Sequence, residues 1–512
     1  MSVPYYDWLA HHAMRSPDKL AAVDLQSGRR FSYADYDRRT GSLAAFLGHN
    51  LGLEPGERVA VLAPNCTEYF EIQFACARVG AIFLPLNWRL TVPEAEFIIG
   101  DAAPKLLIHD AEFAATATEL KRRCSIAHLL EIGSPKDGAY EQALAAAKGQ
   151  VTPAAVTHDD VWTIMYTSGT TGLPKGAMIT YGMTFYNAVN LGIPAYIGPD
   201  TVHLAVLPLF HTGGLNCYAN PVLHAGGTVL VMRTFDPAAA LKLIDDKAPG
   251  ITHFFGVPAN YQFMAAQAAF ATADLSRLKI AGVGGAPISL SLLQTWQARG
   301  VALQQGYGMT ETSPSVLILG QADAARKAGS TGLPVLHNAV RIVDENGKDA
   351  AQGAIGELWV KGPNVTPGYW NRPEATASSF TDGWLHTGDA ARIDEDGFYY
   401  IVDRWKDMYI SGGENVYPAE VENVIYQLPA VAEAAVFGMP DEKWGEIGYA
   451  AIVVKPGHAL SDADVLAHCR ERLARFKLPR SVVFVSALPR NATGKVLKRE
   501  LRDRLATGRA AQ

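Results

Sequence analysis

Residues 166–176, YTSGTTGLPKG, place three glycines, four hydroxyl side chains (Thr167, Ser168, Thr170, Thr171) and Lys175 within eleven positions. Glycine lets successive backbone N–H groups turn inward, and such a run makes a concave cradle for phosphate oxygens. The hydroxyls add donors and Lys175 adds a mobile positive charge. A Walker A loop would need Gly at Pro174 and Ser or Thr at Gly176, so the P-loop NTPase pattern is not met. The flanks point the same way. VWTIMY (161–166) predicts a buried strand and GAMIT (176–180) a second short strand, so the loop joins two strands rather than opening a helix. The plain alternative for this segment is a flexible Gly/Thr surface turn.

Four further segments could serve the same chemistry. GYGMTET (306–312) sets Tyr307, hydroxyls and the Glu311 carboxylate on a glycine-flanked turn, suited to a nucleotide base and to a hard cation that keeps most of its waters. The plainer reading is an aromatic turn that closes a strand. WLHTGD ends on Asp389, a carboxylate that could grip ribose hydroxyls, although Gly-Asp is also a common turn pair. Residues 402–422, VDRWKDMYISGGENVYPAEVE, combine Arg404, a charged connector and the Gly412-Gly413 turn; Arg404 could equally be a surface ion-pair partner. PRNATGKVLKREL (489–501) puts Lys495 in a polar loop before a terminal helix, where composition alone would leave it solvated.

These groups need a large scaffold. At 512 residues the chain exceeds what one core usually supports, so two or more domains are expected. With 48% hydrophobic and 19% charged residues it resembles an ordinary globular protein, and a formal charge of -6 gives no overall basic footprint for nucleic acid or anionic lipid. Five scattered cysteines, odd in number and without C-x-x-C spacing, predict a reducing compartment. No signal-peptide core and no apolar run of roughly 18 residues is present, so the expected location is cytoplasmic, with no membrane segment.

Short apolar runs such as RVAVLAPN, PKLLIHD, HLAVLPLF and GTVLVM alternate with helical stretches such as TEYFEIQFACARVG and PAAALKLIDDKA. That rhythm predicts an α/β fold of layered sheets. After Leu336, strands separated by Asp, Asn and Gly turns predict a small antiparallel sheet or β-barrel closing the large domain. From about Asp403, three strands (VAEAAVFGMPD, GYAAIVV, SVVFVS) and two helices predict a compact α+β unit of about a hundred residues.

In this order and spacing, YTSGTTGLPKG, YGMTE, TGD, DRWKDMYISGGENVYPAEVE and PRNATGKVLK resemble the adenylate-forming superfamily of acyl-CoA synthetases, adenylation domains and luciferases, over essentially the whole chain. The resemblance implies a large N-terminal domain (1–403), a small mobile C-terminal domain (404–512) pivoting near Lys406, and ATP, Mg²⁺ and CoA. It implies that Thr167, Ser168, Gly169, Thr170, Thr171, Gly172 and Lys175 hold the β- and γ-phosphates. Gly306, Tyr307, Gly308, Met309, Thr310 and Glu311 would form the nucleotide platform, and Thr170 and Glu311 would bind Mg²⁺. Asp389 would hold the ribose, with Arg404 nearby, and Lys495 would reach both the acid's carboxylate and the α-phosphate. Gly412, Gly413 and Glu414 would face CoA after the domain swings. Arg89, Phe476 and Lys477 are further positions for the CoA nucleotide, each of which could equally be a surface residue, as Lys406 could be a solvated linker lysine.

The expected reaction joins a small carboxylic acid to CoA. The acid first becomes a mixed anhydride with AMP, and the CoA thiol then displaces AMP. For the acid, residues 208–219 (PLFHTGGLNCYA), 282–289 (GVGGAPIS) and 306–316 are apolar or very small, with Gly214, Gly284, Gly285, Ala286 and Gly306 leaving width for a flat ring or an alkyl chain. They contain no Lys or Arg to pair a second carboxylate, and the segment after His211 lacks the aspartate that holds an α-ammonium group in amino-acid-activating relatives. The expected substrate is an apolar monocarboxylic acid, either a medium- to long-chain fatty acid or an aryl acid such as a hydroxycinnamate. His211 either gates the path between acyl carbonyl and thiol or is a satisfied core histidine. An acyl-AMP ligase serving a separate carrier protein and a nucleotide-binding protein without turnover are the alternatives; oligomeric state, including a homodimer, is left open.

Overall fold

The protein is described by a computed structural model covering residues 2–133, 138–147, 149–167, 173–404, 407–411, 414–441, 444–490 and 496–506. Two mostly parallel sheets form the large unit. One has six strands, ordered His128–Ile132, Leu106–Asp110, Arg58–Leu62, Ile82–Pro85, Val161–Thr167 and Lys175–Thr180, of which only the last pair is antiparallel. The other has nine; its parallel centre runs Leu303–Gly308, Ile280–Val283, His253–Gly256, Val202–Ala205, Thr228–Val231 and Leu20–Asp24. Strands buried on both faces need continuous apolar runs, and that is how these sequences read.

The largest core lies between the two sheets. It draws Val59, Val61, Phe83 and Trp162 from one sheet and Ala21, Ala22, Val229 and Val231 from the other. The helix Glu68–Val79 sits in this layer and is buried at almost every position. A helix buried all round must bring partners for its charges. Arg39 pairs with Glu71 at 2.6 Å and with Glu141 at 2.7 Å, Arg29 pairs with Glu68 and Glu141 at 2.8 Å each, and the Tyr140 hydroxyl donates to Glu71 at 2.9 Å.

The run HLAVLPLF differs from a simple strand. Its strand ends at Ala205, and the chain then leaves the sheet toward His211. Asn65 makes that departure affordable: its amide donates to the Leu207 carbonyl at 2.9 Å and its carbonyl accepts the Leu209 N–H at 2.8 Å. Backbone polar groups freed from a ladder are thus paired again.

After Leu336 the expected antiparallel unit is present. Ala339–Val343, Gly356–Lys361, Trp384–Ile393 and Phe380–Thr381 pair in that order, Tyr399–Arg404 adds to Trp384–Ile393, and the registers run as an open path. The fourth sheet contains the expected strands as Val431–Asp441, Gly445–Val454 and Ser481–Phe484, with the helices Pro418–Ile425, Asp462–Arg470 and Lys498–Ala506. It also contains a hairpin, Tyr409–Ser411 with Glu414–Val416, inside what composition presents as a charged connector. Its cores use residues from Tyr409 onward only. Asp403 links the two parts, its carboxylate accepting the Ala419 N–H at 2.9 Å. Among the described residues, no helix is long and apolar enough to cross a membrane.

Glu71→Ala should destabilise the protein by about 3 kcal/mol, because it leaves the Arg39 guanidinium buried with half its partners. Denaturant unfolding monitored by tryptophan fluorescence measures this; a loss below about 0.5 kcal/mol would contradict the role given to the pair.

Candidate active site

The glycine-rich run is presented by an antiparallel hairpin. Val161–Thr167 and Lys175–Thr180 pair with Thr167 opposite Lys175, so the loop leaves and returns at one point of the sheet edge. Ser168, Gly169, Thr170, Thr171 and Gly172 lie outside the described residues, as do Lys406, Gly412, Gly413 and Lys495. Thr167 and Lys175 hold the loop's two ends, and the base of the hairpin is anchored where the Tyr166 hydroxyl donates to Asp101 at 2.6 Å.

Glu311 arrives from the other sheet. The strand Leu303–Gly308 runs into a short helical turn, Thr310–Thr312, and returns as Ser315–Ile318. The two chains approach so closely at Gly308 that a Cβ there would collide with the Pro314 carbonyl. Side-chain amides hold the turn. Asn364 donates to the carbonyls of Thr312 and Ser315 at 2.6 and 2.8 Å, and Asn187 accepts the Ser315 N–H at 3.1 Å. Glu311 is buried and accepts the Tyr369 hydroxyl at 2.8 Å.

The loop containing Tyr369 ties these two pieces together. Thr366 donates its N–H to the Glu311 carbonyl at 2.7 Å and its hydroxyl to the Met178 carbonyl at 2.7 Å, while the Trp370 N–H donates to the Gly176 carbonyl at 2.8 Å. The Lys175 ammonium lies 5.3 Å from the centre of the Tyr369 ring. Thr366 is therefore a joint, and a hydroxyl suits it better than a bulkier apolar side chain. Composition gives no signal for Asn187, Asn364 or Tyr369; a motif of Gly-Tyr-Trp after a strand is the only hint.

Asp389 and Tyr307 meet directly, the phenol donating to the carboxylate at 2.5 Å. Asp389 also stands opposite Arg404 in the register of Trp384–Ile393 with Tyr399–Arg404. Gly388 does not form the expected turn but sits at an irregularity inside the strand Trp384–Ile393, braced by the Thr387 hydroxyl on the Leu358 carbonyl (2.6 Å) and by the Gly388 N–H on Glu357 (2.9 Å). Tyr307, Asp389 and the Arg404 backbone thus share one edge of the site.

The candidate acid-binding residues all follow the carboxyl ends of the nine-stranded sheet's parallel strands, the usual place for a ligand in an open α/β sheet. His211 and Gly214 follow Val202–Ala205, Gly284, Gly285 and Ala286 follow Ile280–Val283, and Gly306 lies just past the parallel-paired part of Leu303–Gly308. The width expected at Gly284 is taken up by neighbours: an added Cβ would lie 2.9 Å from the Gly306 carbonyl and 3.4 Å from the Phe255 ring. An aromatic wall stands beside it, Tyr218 and Phe255 with ring centres 5.3 Å apart, both packed against Gly282. Sequence patterning missed this wall, because its rings come from a helix and a strand far apart in the chain.

Of the remaining positions, Arg89 stacks on Trp88 at 4.2 Å and reaches toward Phe210, next to His211, at 5.9 Å. Lys477 pairs with Glu420 at 2.7 Å, beside the exposed Phe476 ring, and Glu414 lies exposed at the end of the small hairpin. Among the described residues no three His, Cys, Asp or Glu side chains cluster as a metal cage. A single buried carboxylate at Glu311 fits a cation that keeps several waters, which is Mg²⁺ chemistry rather than that of zinc.

The family model of AMP-binding enzymes matches residues 9–370, and that of the AMP-binding enzyme C-terminal domain matches residues 420–495. The chain is 43% identical to a feruloyl-CoA synthase from Amycolatopsis sp, covering 97% of this chain and 98% of the relative. It is 40% identical to an indoleacetate–CoA ligase from Aromatoleum aromaticum, with 98% of each covered, and 37% identical to a long-chain-fatty-acid–CoA ligase from Mycobacterium tuberculosis, with 97% of each covered. Among solved structures, ATP-bound MatB from Rhodopseudomonas palustris superposes with a TM-score of 0.90 at 34% identity, covering 97% of this chain and 98% of that one.

Burial also sets the charge state of the site's histidine. It lowers the His211 imidazole to about 4, and its Nδ1 accepts the Gly213 N–H at 3.0 Å, so the neutral ring has its proton on Nε2. Burial lowers His224 to about 4 and His203 to about 3. An unfolded chain protonates all three near pH 6.5, whereas the folded chain does not until nearer pH 4. Their contribution is therefore intact above about pH 6.5 and is lost as pH falls toward 4, by up to about 1.4 kcal/mol per pH unit for each. Unfolding free energies at pH 7, 6 and 5 should show this decline, with a shallower slope in His203→Gln; identical slopes would contradict the assignment.

Proposed function

This chain belongs to the AMP-binding enzymes and is an AMP-forming acid–CoA ligase acting on ATP and CoA, and on that premise we propose that its acid is a flat aromatic monocarboxylate of the hydroxycinnamate or arylacetate kind. The observation that carries this reading is the Tyr218–Phe255 wall against Gly282, at the carboxyl ends of the parallel strands. Rings pack on rings in offset or tilted arrangements, and a wall of fixed aromatic faces fits a planar acid better than a flexible chain. The absence of Lys and Arg from residues 208–219, 282–289 and 306–316 disfavours a second carboxylate. Relatives named for ferulate and indoleacetate stand at 43% and 40% identity, ahead of one named for long-chain fatty acids at 37%.

A carboxylate resists attack because it is already negative and has no good leaving group. Its oxygen forms a bond to the α-phosphorus of ATP as the bond to pyrophosphate breaks, and cations and donors must offset the repulsion between the two anions. In this reading residues 167–175 hold the β- and γ-phosphates, Tyr307 faces the base, and Asp389, fixed by the Tyr307 hydroxyl, takes the ribose with Arg404 beside it. Glu311 and Thr170 would hold Mg²⁺, which supplies charge neutralisation when bound. Lys495 reaches the carboxylate and α-phosphate. The small domain (404–512) then swings on the large one (1–403) near Lys406, withdraws Lys495 and brings Gly412, Gly413 and Glu414 toward CoA. The thiol sulfur bonds to the acyl carbon and AMP leaves. His211, neutral and next to the acyl site, borders the thiol's path, and Arg89, Phe476 and Lys477 flank the CoA nucleotide. A cytoplasmic place of action, where ATP and CoA are supplied and free thiols stay reduced, belongs to the same reading.

With ferulate, indoleacetate, palmitate and malonate as competing substrates, kcat/KM for the better aromatic acid should exceed the others by about a hundredfold, as measured by pyrophosphate release. Gly282→Ala, by displacing the Tyr218 and Phe255 rings, should raise KM for that acid and leave KM for ATP unchanged. Preference for palmitate would overturn the aromatic reading.

Lys495→Ala should slow adenylation at least a hundred- to a thousandfold, about the effect of removing one transition-state donor, yet preserve thioester formation from supplied acyl-adenylate. Equal loss of both steps would contradict the role given to Lys495.

A further inference from the structure

Tyr369 has no place in the chemistry described above, yet it touches both halves of the ATP site. Its hydroxyl donates to Glu311 Oε1 at 2.8 Å, and its ring face lies 5.3 Å from the Lys175 ammonium. The backbone around it is pinned on three sides. The Gly368 carbonyl accepts the Met178 N–H at 3.1 Å, the Tyr369 N–H donates to the Thr376 hydroxyl at 2.9 Å, and the Trp370 N–H donates to the Gly176 carbonyl at 2.8 Å. The point from which the ring springs is therefore fixed relative to both partners.

We propose that Tyr369 is a positioning residue that sets the Glu311 carboxylate and the Lys175 ammonium in one geometry, so that the metal-binding and phosphate-binding halves of the site are prepared together. The inference deepens the ATP-site reading of Glu311 and Lys175 and rests on it. Two separate physical effects act through one side chain. A carboxylate's terminal torsion is broad and roughly two-fold when unrestrained, and a phenol donor on Oε1 fixes it. An ammonium is drawn to the negative face of an aromatic ring, which restrains a side chain with several free torsions. Removing a group that orients a metal's ligand typically costs about 10- to 100-fold in metal affinity.

The two effects separate by substitution in the full-length protein. Tyr369→Phe keeps the ring and removes the hydroxyl, whereas Tyr369→Leu removes both. Mn²⁺ serves as the metal probe, followed by electron paramagnetic resonance in the presence of ATP, and ATP binding without metal is followed by calorimetry in EDTA. Tyr369→Phe should weaken Mn²⁺ binding about tenfold and leave metal-free ATP binding unchanged. Tyr369→Leu should weaken Mn²⁺ binding as much and metal-free ATP binding about two- to fivefold as well. If Tyr369→Phe leaves Mn²⁺ binding unchanged while Glu311→Gln weakens it, the positioning role is wrong and the reading of Glu311 stands. If Glu311→Gln also has no effect, that underlying reading fails. If Phe and Leu weaken metal-free ATP binding equally, the tyrosine serves packing and not position.

Discussion

The site depends on one constraint: a buried turn, residues 308–315, must be held where two independent sheets meet. Neither sheet can do this alone. The nine-stranded sheet delivers Glu311 just after Leu303–Gly308, and the six-stranded sheet delivers the Val161–Thr167 and Lys175–Thr180 hairpin at its edge. The loop at 364–370 bonds to both, through Asn364 and Thr366 on one side and Thr366, Gly368 and Trp370 on the other. Asn187, on the helix that follows Lys175–Thr180, adds a second tie by accepting the Ser315 N–H at 3.1 Å, so the turn and the hairpin are held to each other from two directions. A preorganised site of this kind acts on charge that develops in the reaction without first having to rearrange.

The same economy governs the buried polar groups elsewhere. Glu68 and Glu71 enter the core only with Arg29, Arg39 and Tyr140 around them. His203 enters it neutral and His211 and His224 stay neutral at its margin, since burial, helped at His203 by the His253 ring and at His224 by His12 and His11, lowers their imidazoles far below the ordinary value. For His211 the consequence is that its ring carries no positive charge at neutral pH.

Several parts of this arrangement were legible in the amino-acid order. Alternating apolar runs and helical stretches announced α/β layers, and that the sheets are mostly parallel emerged only from their pairing. The glycine and hydroxyl content of 166–176 announced an anion cradle between two strands, because close approach to phosphate excludes Cβ atoms; Thr167 opposite Lys175 agrees with that placement of the loop. The hairpin Tyr409–Ser411 with Glu414–Val416 was hidden because each strand is three residues long and buries one side chain, Tyr409 and Val416, which is too few to show a hydrophobic period.

What the chain order determined by itself is the chemistry on offer: which residues can bind anions, which can bind a hard cation and which pocket segments lack charge. Those are properties of side-chain type and local backbone freedom, and they need no partner. The tertiary structure alone decided which distant groups face each other. Tyr369 reaches Glu311 across 58 positions, Tyr307 reaches Asp389 across 82, and Tyr218 meets Phe255 from a different element. No local rule encodes such meetings, because sheet register and the closure of loops between sheets are fixed by the packing of the whole core.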